Sequence, residues 1–120
     1  MVKMVAIASL NPGVDPDEAW AYWRDKHGPW ANSRFLPEAK KYVINRVIRR
    51  FEKNDGVLGR VLGKDRPAKG QIFGFCEVWF DDMGSLERGM SRLLTNPDEY
   101  VTKWITIQER IVVEEEEIKP

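Results

Sequence analysis

The spacing of apolar residues along this chain switches between a period of two and a period near 3.6, and the order of the switches leaves few folds open. Residues 4–10 are apolar almost throughout, as expected of a strand covered on both faces. A helical pattern follows from Asp15, and then an alternating run from Lys41 to Phe51, "KYVINRVIRRF". A second β-rich run, "IFGFCEVWF", covers Ile72–Phe80. It precedes a helix in which Met83, Leu86, Met90 and Leu93 recur at helical spacing. "ITIQERIVVEEEE" closes the series as a fourth strand. The order β-α-β-β-α-β is that of the α+β ferredoxin-like plait, a four-stranded antiparallel sheet with its helices on one face. At 120 residues the chain suits a single domain spanning 1–120.

The first helix has a sharp start. Asp15 is placed to cap the free amides, Pro16 suits the first helical position, and Glu18 completes a capping-box pattern. Val14 and Ala19 hold the staple positions that fix the entry angle. Trp20, Trp23 and His27 then fall at i, i+3 and i+7, which puts them on one helix face. Gly28-Pro29 predicts a stop immediately after His27. The stretch "EAWAYWRDKHGPW" thereby gathers Trp20, Trp23 and Trp30 around the chain's only histidine. An imidazole takes and gives a proton near neutrality. The indoles beside it either pack as core or wall a pocket for a planar ligand.

Alternation assigns the strand faces. Tyr42, Ile44 and Arg46 share one face of the second strand; Gly74, Cys76, Val78 and Phe80 share one face of the third. A tyrosine there either orients a substrate oxygen or fills space. An arginine on a covered face requires a partner, either Glu77 or an anionic substrate oxygen. Phe73, Phe75, Glu77 and Trp79 take the opposite face, the one the helices leave open. Such an apolar patch marks an interface, and a two-fold homodimer burying sheet against sheet is the simple solution. Further along, Asn96-Pro97-Asp98-Glu99 reads as the start of one short helix carrying Tyr100 and Trp104, and Glu114–Glu117 as a solvated strand end. Residues 52–71, rich in glycine and lysine, read either as a lid or as an irregular extended hairpin.

Composition excludes several classes. Nineteen basic residues balance nineteen acidic ones, so no global field favours nucleic acid or an anionic membrane. No run approaches the roughly 20 apolar residues of a membrane span, and "MVKMVAIASLNPG" lacks the form of a signal peptide. Cys76 stands alone, a small buried hydrophobe that forms no internal disulfide and suits a reducing cytoplasm. With one cysteine, one histidine and no spaced carboxylate motif, a metal site is not expected.

Three blocks in this order, "EAWAYWRDKHGPW", "LPEAKKYVINRV" and "GFCEVWFDDMGSLERGM", resemble the EthD family of the dimeric α+β barrel superfamily over roughly residues 3–113. The resemblance implies a homodimer whose sheets form a barrel, with a pocket between sheet and helices in each protomer. It also implies the chemistry of such relatives: cofactor-independent isomerases, cyclases and lyases, and cofactor-free oxygenases of aromatic compounds. His27 matches the family histidine at the end of the first helix, and Tyr42 matches the strand tyrosine. Arg46 stands where relatives often carry a second histidine, which implies a fixed cation in place of a second proton carrier. The expected function is therefore cofactor-independent proton transfer on an apolar, aromatic or lactone-like metabolite. His27, Tyr42 and Arg46 are the candidate catalytic residues; Trp20, Trp23, Trp30, Ile44, Cys76 and Val78 are the candidate substrate-binding ones. A cofactor-free oxygenase and a non-catalytic carrier of a hydrophobic ligand are the alternatives.

Overall fold

Small and apolar residues at the centre of the first strand let it pair on both sides, and this sets the topology. In a computed structural model that describes residues 1–49 and 72–120, β1 (Val2–Leu10) pairs antiparallel with both β3 (Ile72–Phe80) and β4 (Ile105–Glu114). β2 (Ala39–Arg46) pairs antiparallel with the outer side of β3. The sheet order is β2-β3-β1-β4, the ferredoxin-like arrangement. The expected lid or hairpin at 52–71 lies outside the described residues. β2 is shorter than the alternation suggested: Val47 still donates its amide to the Phe73 carbonyl, but 47–49 leave strand geometry. No helix among the described residues is long and apolar enough to cross a membrane.

The helical layer begins as the capping signals require. In α1 (Pro16–Tyr22) the Glu18 amide donates to Asp15 Oδ2 at 2.9 Å. The expected stop at Gly28-Pro29 is corrected by the structure. The chain passes through one π turn, Trp23–His27, and continues as α2 (Gly28–Phe35). Proline cannot donate to the ladder, and its ring crowds the carbonyl four residues back. Widening the turn to i→i+5 bonds, with the Gly28 amide reaching the Trp23 carbonyl, accommodates Pro29 without ending the helix. α3 (Met83–Thr95) starts at Asp82, whose side chain accepts from the Ser85 amide at 2.8 Å. A 3-10 turn, Glu99–Lys103, leads into β4.

The core lies between this layer and one sheet face. Phe35, Phe73, Val78 and Phe80 are fully buried, and each such side chain contributes roughly 1.5–3 kcal/mol relative to exposure. α3 comes close because residue 89 is glycine: a Cβ there would stand 2.9 Å from the Phe80 ring. Arg88 and Arg92 of α3 both pair with Glu38 and hold the helix against the start of β2.

The other sheet face differs from the expected apolar patch. Phe73 is not on it, because the β1–β3 register shifts between Ala8 and Ser9, opposite Phe73. That irregularity turns the ring to the helical side, where it stacks on Trp23 at 6.2 Å. Trp79 is flanked by the ammonium groups of Lys3 and Lys41, at 5.0 and 4.9 Å from its ring, and donates to Glu115. Glu77, the proposed partner of Arg46, is taken instead by Lys3 at 2.9 Å and by the Asn45 amide at 3.0 Å. Val5, Ile7 and Phe75 remain half-buried on this face.

Candidate active site

Strand register places a row with two small residues at its centre in the middle of the covered sheet face. Arg110 of β4, Ala6 of β1, Cys76 of β3 and Ile44 of β2 lie side by side across the four strands. The next row is Val112, Met4, Val78 and Tyr42. Short side chains at Ala6 and Cys76 leave space beneath the helices, and a cavity of about 330 Å³ occupies it. This lies at the small end of the roughly 300–1,000 Å³ typical of ligand pockets. Its floor includes Ala6, Met4, Cys76 and Tyr42. Trp23, His27, Trp30 and Phe35 form one wall; Leu93, Leu94, Asp98 and Val101 form the other. Thr102 of the 3-10 turn and Ile107 and Arg110 of β4 also line it.

His27 is held by an acidic partner from the far wall. Its Nδ1 lies 3.0 Å from Asp98 Oδ2. Asp98 also accepts from the Tyr22 hydroxyl at 3.0–3.1 Å and from the Tyr100 amide at 3.1 Å. Burial alone would raise the Asp98 carboxyl, but these donors outweigh it and hold the group below the usual aspartate range. An ionised carboxylate only accepts, so Nδ1 carries the hydrogen and Nε2 is left with its lone pair in the neutral ring. Burial and the neighbouring Asp98 push the Tyr22 phenol up to about 12, so it remains a donor.

The π turn makes this grouping possible. Residues five apart on a regular α-helix point about 140° away from each other. One widened turn between Tyr22 and His27 brings both side chains to the same carboxylate. Asp98 is presented from the 3-10 turn, whose end Asn11 clamps to β1. The Asn11 amide donates to the Trp104 carbonyl at 2.9 Å, and its side chain donates to the Thr102 carbonyl at 2.6 Å.

The candidate residues separate into two groups. Trp23, His27, Trp30, Tyr42 and Cys76 line the cavity. Trp20, Ile44, Arg46 and Val78 do not. Val78 is sealed in the core with no exposed surface. Arg46 is in the row of Gly74 and Ala8, and the Trp23 indole lies directly on Gly74, closing that row off from the cavity. Its guanidinium is bound to Asp17 at 2.6 Å and lies 5.8 Å from the Trp20 ring. Trp20 in turn meets Trp23 edge-on at 5.9 Å. Trp20 and Arg46 thus brace the outside of the Trp23 wall.

Two further groups face the space with fixed protonation. Burial pushes the Tyr42 phenol well above its ordinary range, and its ring packs edge-on against Phe35 at 5.3 Å. Burial likewise pushes the Cys76 thiol up to about 11, with the charge of Arg110 opposing. Neutral Tyr42 is a hydrogen-bond donor, and neutral Cys76 is a poor nucleophile. Asp98, Tyr22 and Arg110 had no role in the sequence-based site. Asp98 carried a legible capping signal, but its pairing with His27 spans 71 positions and depends on the π turn.

The comparisons agree with this geometry at the level of family and fold. The EthD domain pattern matches residues 11–101. Among curated proteins, none matches the chain. An EthD-like protein from Ralstonia eutropha JMP134 superposes with a TM-score of 0.64 at 14% identity, covering 94% of this chain and 89% of that one. HapK from Hahella chejuensis gives 0.61 at 13%, covering 100% and 97%. An ethyl tert-butyl ether D (EthD) family protein from Bacillus halodurans C-125 gives 0.56 at 18%, covering 97% and 99%. With the pattern running from the end of β1 through both helical segments to the turn that carries Asp98, the chain belongs to the EthD family.

Proposed function

We propose that the cavity is the active site of a cofactor-independent enzyme that moves a proton between two carbons of a conjugated, largely apolar substrate. The observation that carries this reading is the His27–Asp98 pair at the edge of an apolar cavity. His27 Nε2 removes a proton from a carbon next to a carbonyl. The C–H bond breaks, the N–H bond forms, and the electron pair moves into the conjugated system as an enolate. Asp98 stabilises the imidazolium that results, as the carboxylate does in other His–Asp pairs. Tyr42, kept neutral by burial, supplies a donor to the enolate oxygen. The same N–H then returns its proton to a more distant carbon, so the double bond shifts and no oxidant or reductant is consumed. Cyclisation or elimination can start from the same enolate. The planar walls, Trp23 and Trp30, suit an aromatic or lactone ring.

Proton transfer can be read without knowing the product. Conjugated ketones, lactones and acids are incubated with the protein in D2O, and exchange at the activated C–H is followed by NMR. The expectation is protein-dependent exchange that falls roughly 10²–10⁴-fold in His27→Gln, while affinity for the same compound is retained. Tight binding with no exchange in the wild-type protein contradicts the enzymatic reading and leaves that of a ligand carrier. The apolar part of the open sheet face supports, as part of the same proposal, a homodimer formed sheet to sheet.

A further inference from the structure

The sequence assigned the anion-holding role to Arg46, and the structure leaves that residue outside the cavity, bound to Asp17. The cation that does line the cavity is Arg110, on the helix-facing side of edge strand β4 beside Ala6. Its guanidinium makes no ion pair or hydrogen bond among the described residues, unlike Arg46, Arg88 and Arg92, each of which has a carboxylate. Asp98, the acidic group of the same cavity, is already occupied by His27, Tyr22 and the Tyr100 amide. The lining therefore carries one positive charge that no carboxylate among the described residues answers. Being exposed, that charge is hydrated while the cavity is empty and needs no internal partner.

We infer that the ligand of this cavity is a planar hydrocarbon acid, whose single carboxylate docks on Arg110 while its conjugated body lies against the wall of Trp23 and Trp30. The inference rests on the cavity being the substrate site. A guanidinium fork matches one carboxylate through two parallel hydrogen bonds. A phosphate or dicarboxylate fits less well, because Asp98 lies in the same small space and would repel the second charge. The arrangement also orients the chemistry. Arg110 enters from the sheet and His27 from the helical layer, so an acid anchored on Arg110 presents its conjugated chain, rather than its carboxylate, to Nε2. Arg46, bound to Asp17 and set over the Trp20 ring, braces the wall, and Arg110 selects the ligand.

The test is calorimetric, with 2-naphthoate and its methyl ester as probes against the wild-type protein, Arg110→Gln and Arg110→Lys. Charge-assisted hydrogen bonds of this kind correspond to roughly 10–100-fold in affinity. The acid should bind the wild-type protein tighter than the ester by that factor. Arg110→Gln should remove the preference without changing ester affinity or thermal stability, and Arg110→Lys should keep part of it. Equal binding of acid and ester by the wild-type protein, or an acid preference that survives in Arg110→Gln, overturns the inference alone. The D2O exchange lost in His27→Gln then still stands for the proton-transfer reading. Failure of both probes to bind overturns the inference together with the reading of the cavity as a ligand site.

Discussion

At the scale of single residues, the unusual group is Asp98, a carboxylate with two side-chain donors and one amide converging on it in a half-dry site. Its native carboxyl titrates below the ordinary aspartate value of about 3.9. A depressed acid stabilises the fold fully above that value, and the contribution is lost as pH falls through the native one. The difference in melting temperature between wild type and Asp98→Asn should therefore be largest above the ordinary aspartate range and shrink as pH falls below it. Scanning calorimetry across that range measures it, and a difference that does not vary with pH contradicts the assignment. Tyr22→Phe should cost about 1–2 kcal/mol in the same assay near neutrality, through loss of a hydrogen bond to a charged acceptor. His27 was legible as a candidate proton carrier from its chemistry alone. Asp98 was legible only as a helix cap, because nothing local links residues 71 positions apart.

At the scale of elements, two local irregularities build the site. The π turn accommodates Pro29 and rotates His27 onto the carboxylate that Tyr22 also reaches. The register shift opposite Phe73 sends that ring under Trp23 and away from the open face. Local sequence rules presume regular geometry, so they failed at these two places: the Gly28-Pro29 signal ended the helix at His27, and alternation put Phe73 with Phe75 and Trp79. Where elements are regular, in the Asp15 cap, the α3 start and the alternation of Cys76, Val78 and Phe80, sequence and structure agree. Gly74 joins the two irregularities. A Cβ there would lie 2.7 Å from the Trp23 ring and would also press on the Asn45 carbonyl. Gly74→Ala should thus destabilise the protein by about 1–3 kcal/mol in urea unfolding, and should weaken 2-naphthoate binding as the indole wall shifts. A neutral effect on both would mean that the Trp23–Gly74 contact does not shape the cavity.

At the scale of the whole molecule, the antiparallel plait has one sheet face committed to helices and cavity and the other free of helices among the described residues. The plait was legible because six alternating periods admit few arrangements. The pocket's opening was not, because it depends on how far Ala6 and Cys76 fall short of filling the space beneath α2 and α3. The open face mixes Val5, Ile7 and Phe75 with a polar strip, Lys3–Glu77–Asn45, so pairing of two copies must keep that strip satisfied. Sedimentation equilibrium should give twice the 14.0 kDa of one chain. Ile7→Glu should return it to a monomer with unchanged far-UV circular dichroism. A wild-type protein that sediments as a monomer at micromolar concentration removes the sheet-to-sheet dimer.

The central claim is that Asp98 holds His27 with its proton on Nδ1, so that Nε2 serves as the base. Because His27 is the only histidine, 15N NMR of histidine-labelled protein reports this one ring without assignment by mutagenesis. Above its titration the neutral imidazole should show a protonated Nδ1 and an unprotonated Nε2, and Asp98→Asn should abolish that preference. A neutral ring protonated on Nε2 in the wild-type protein, or one averaging freely between the two tautomers, contradicts the account.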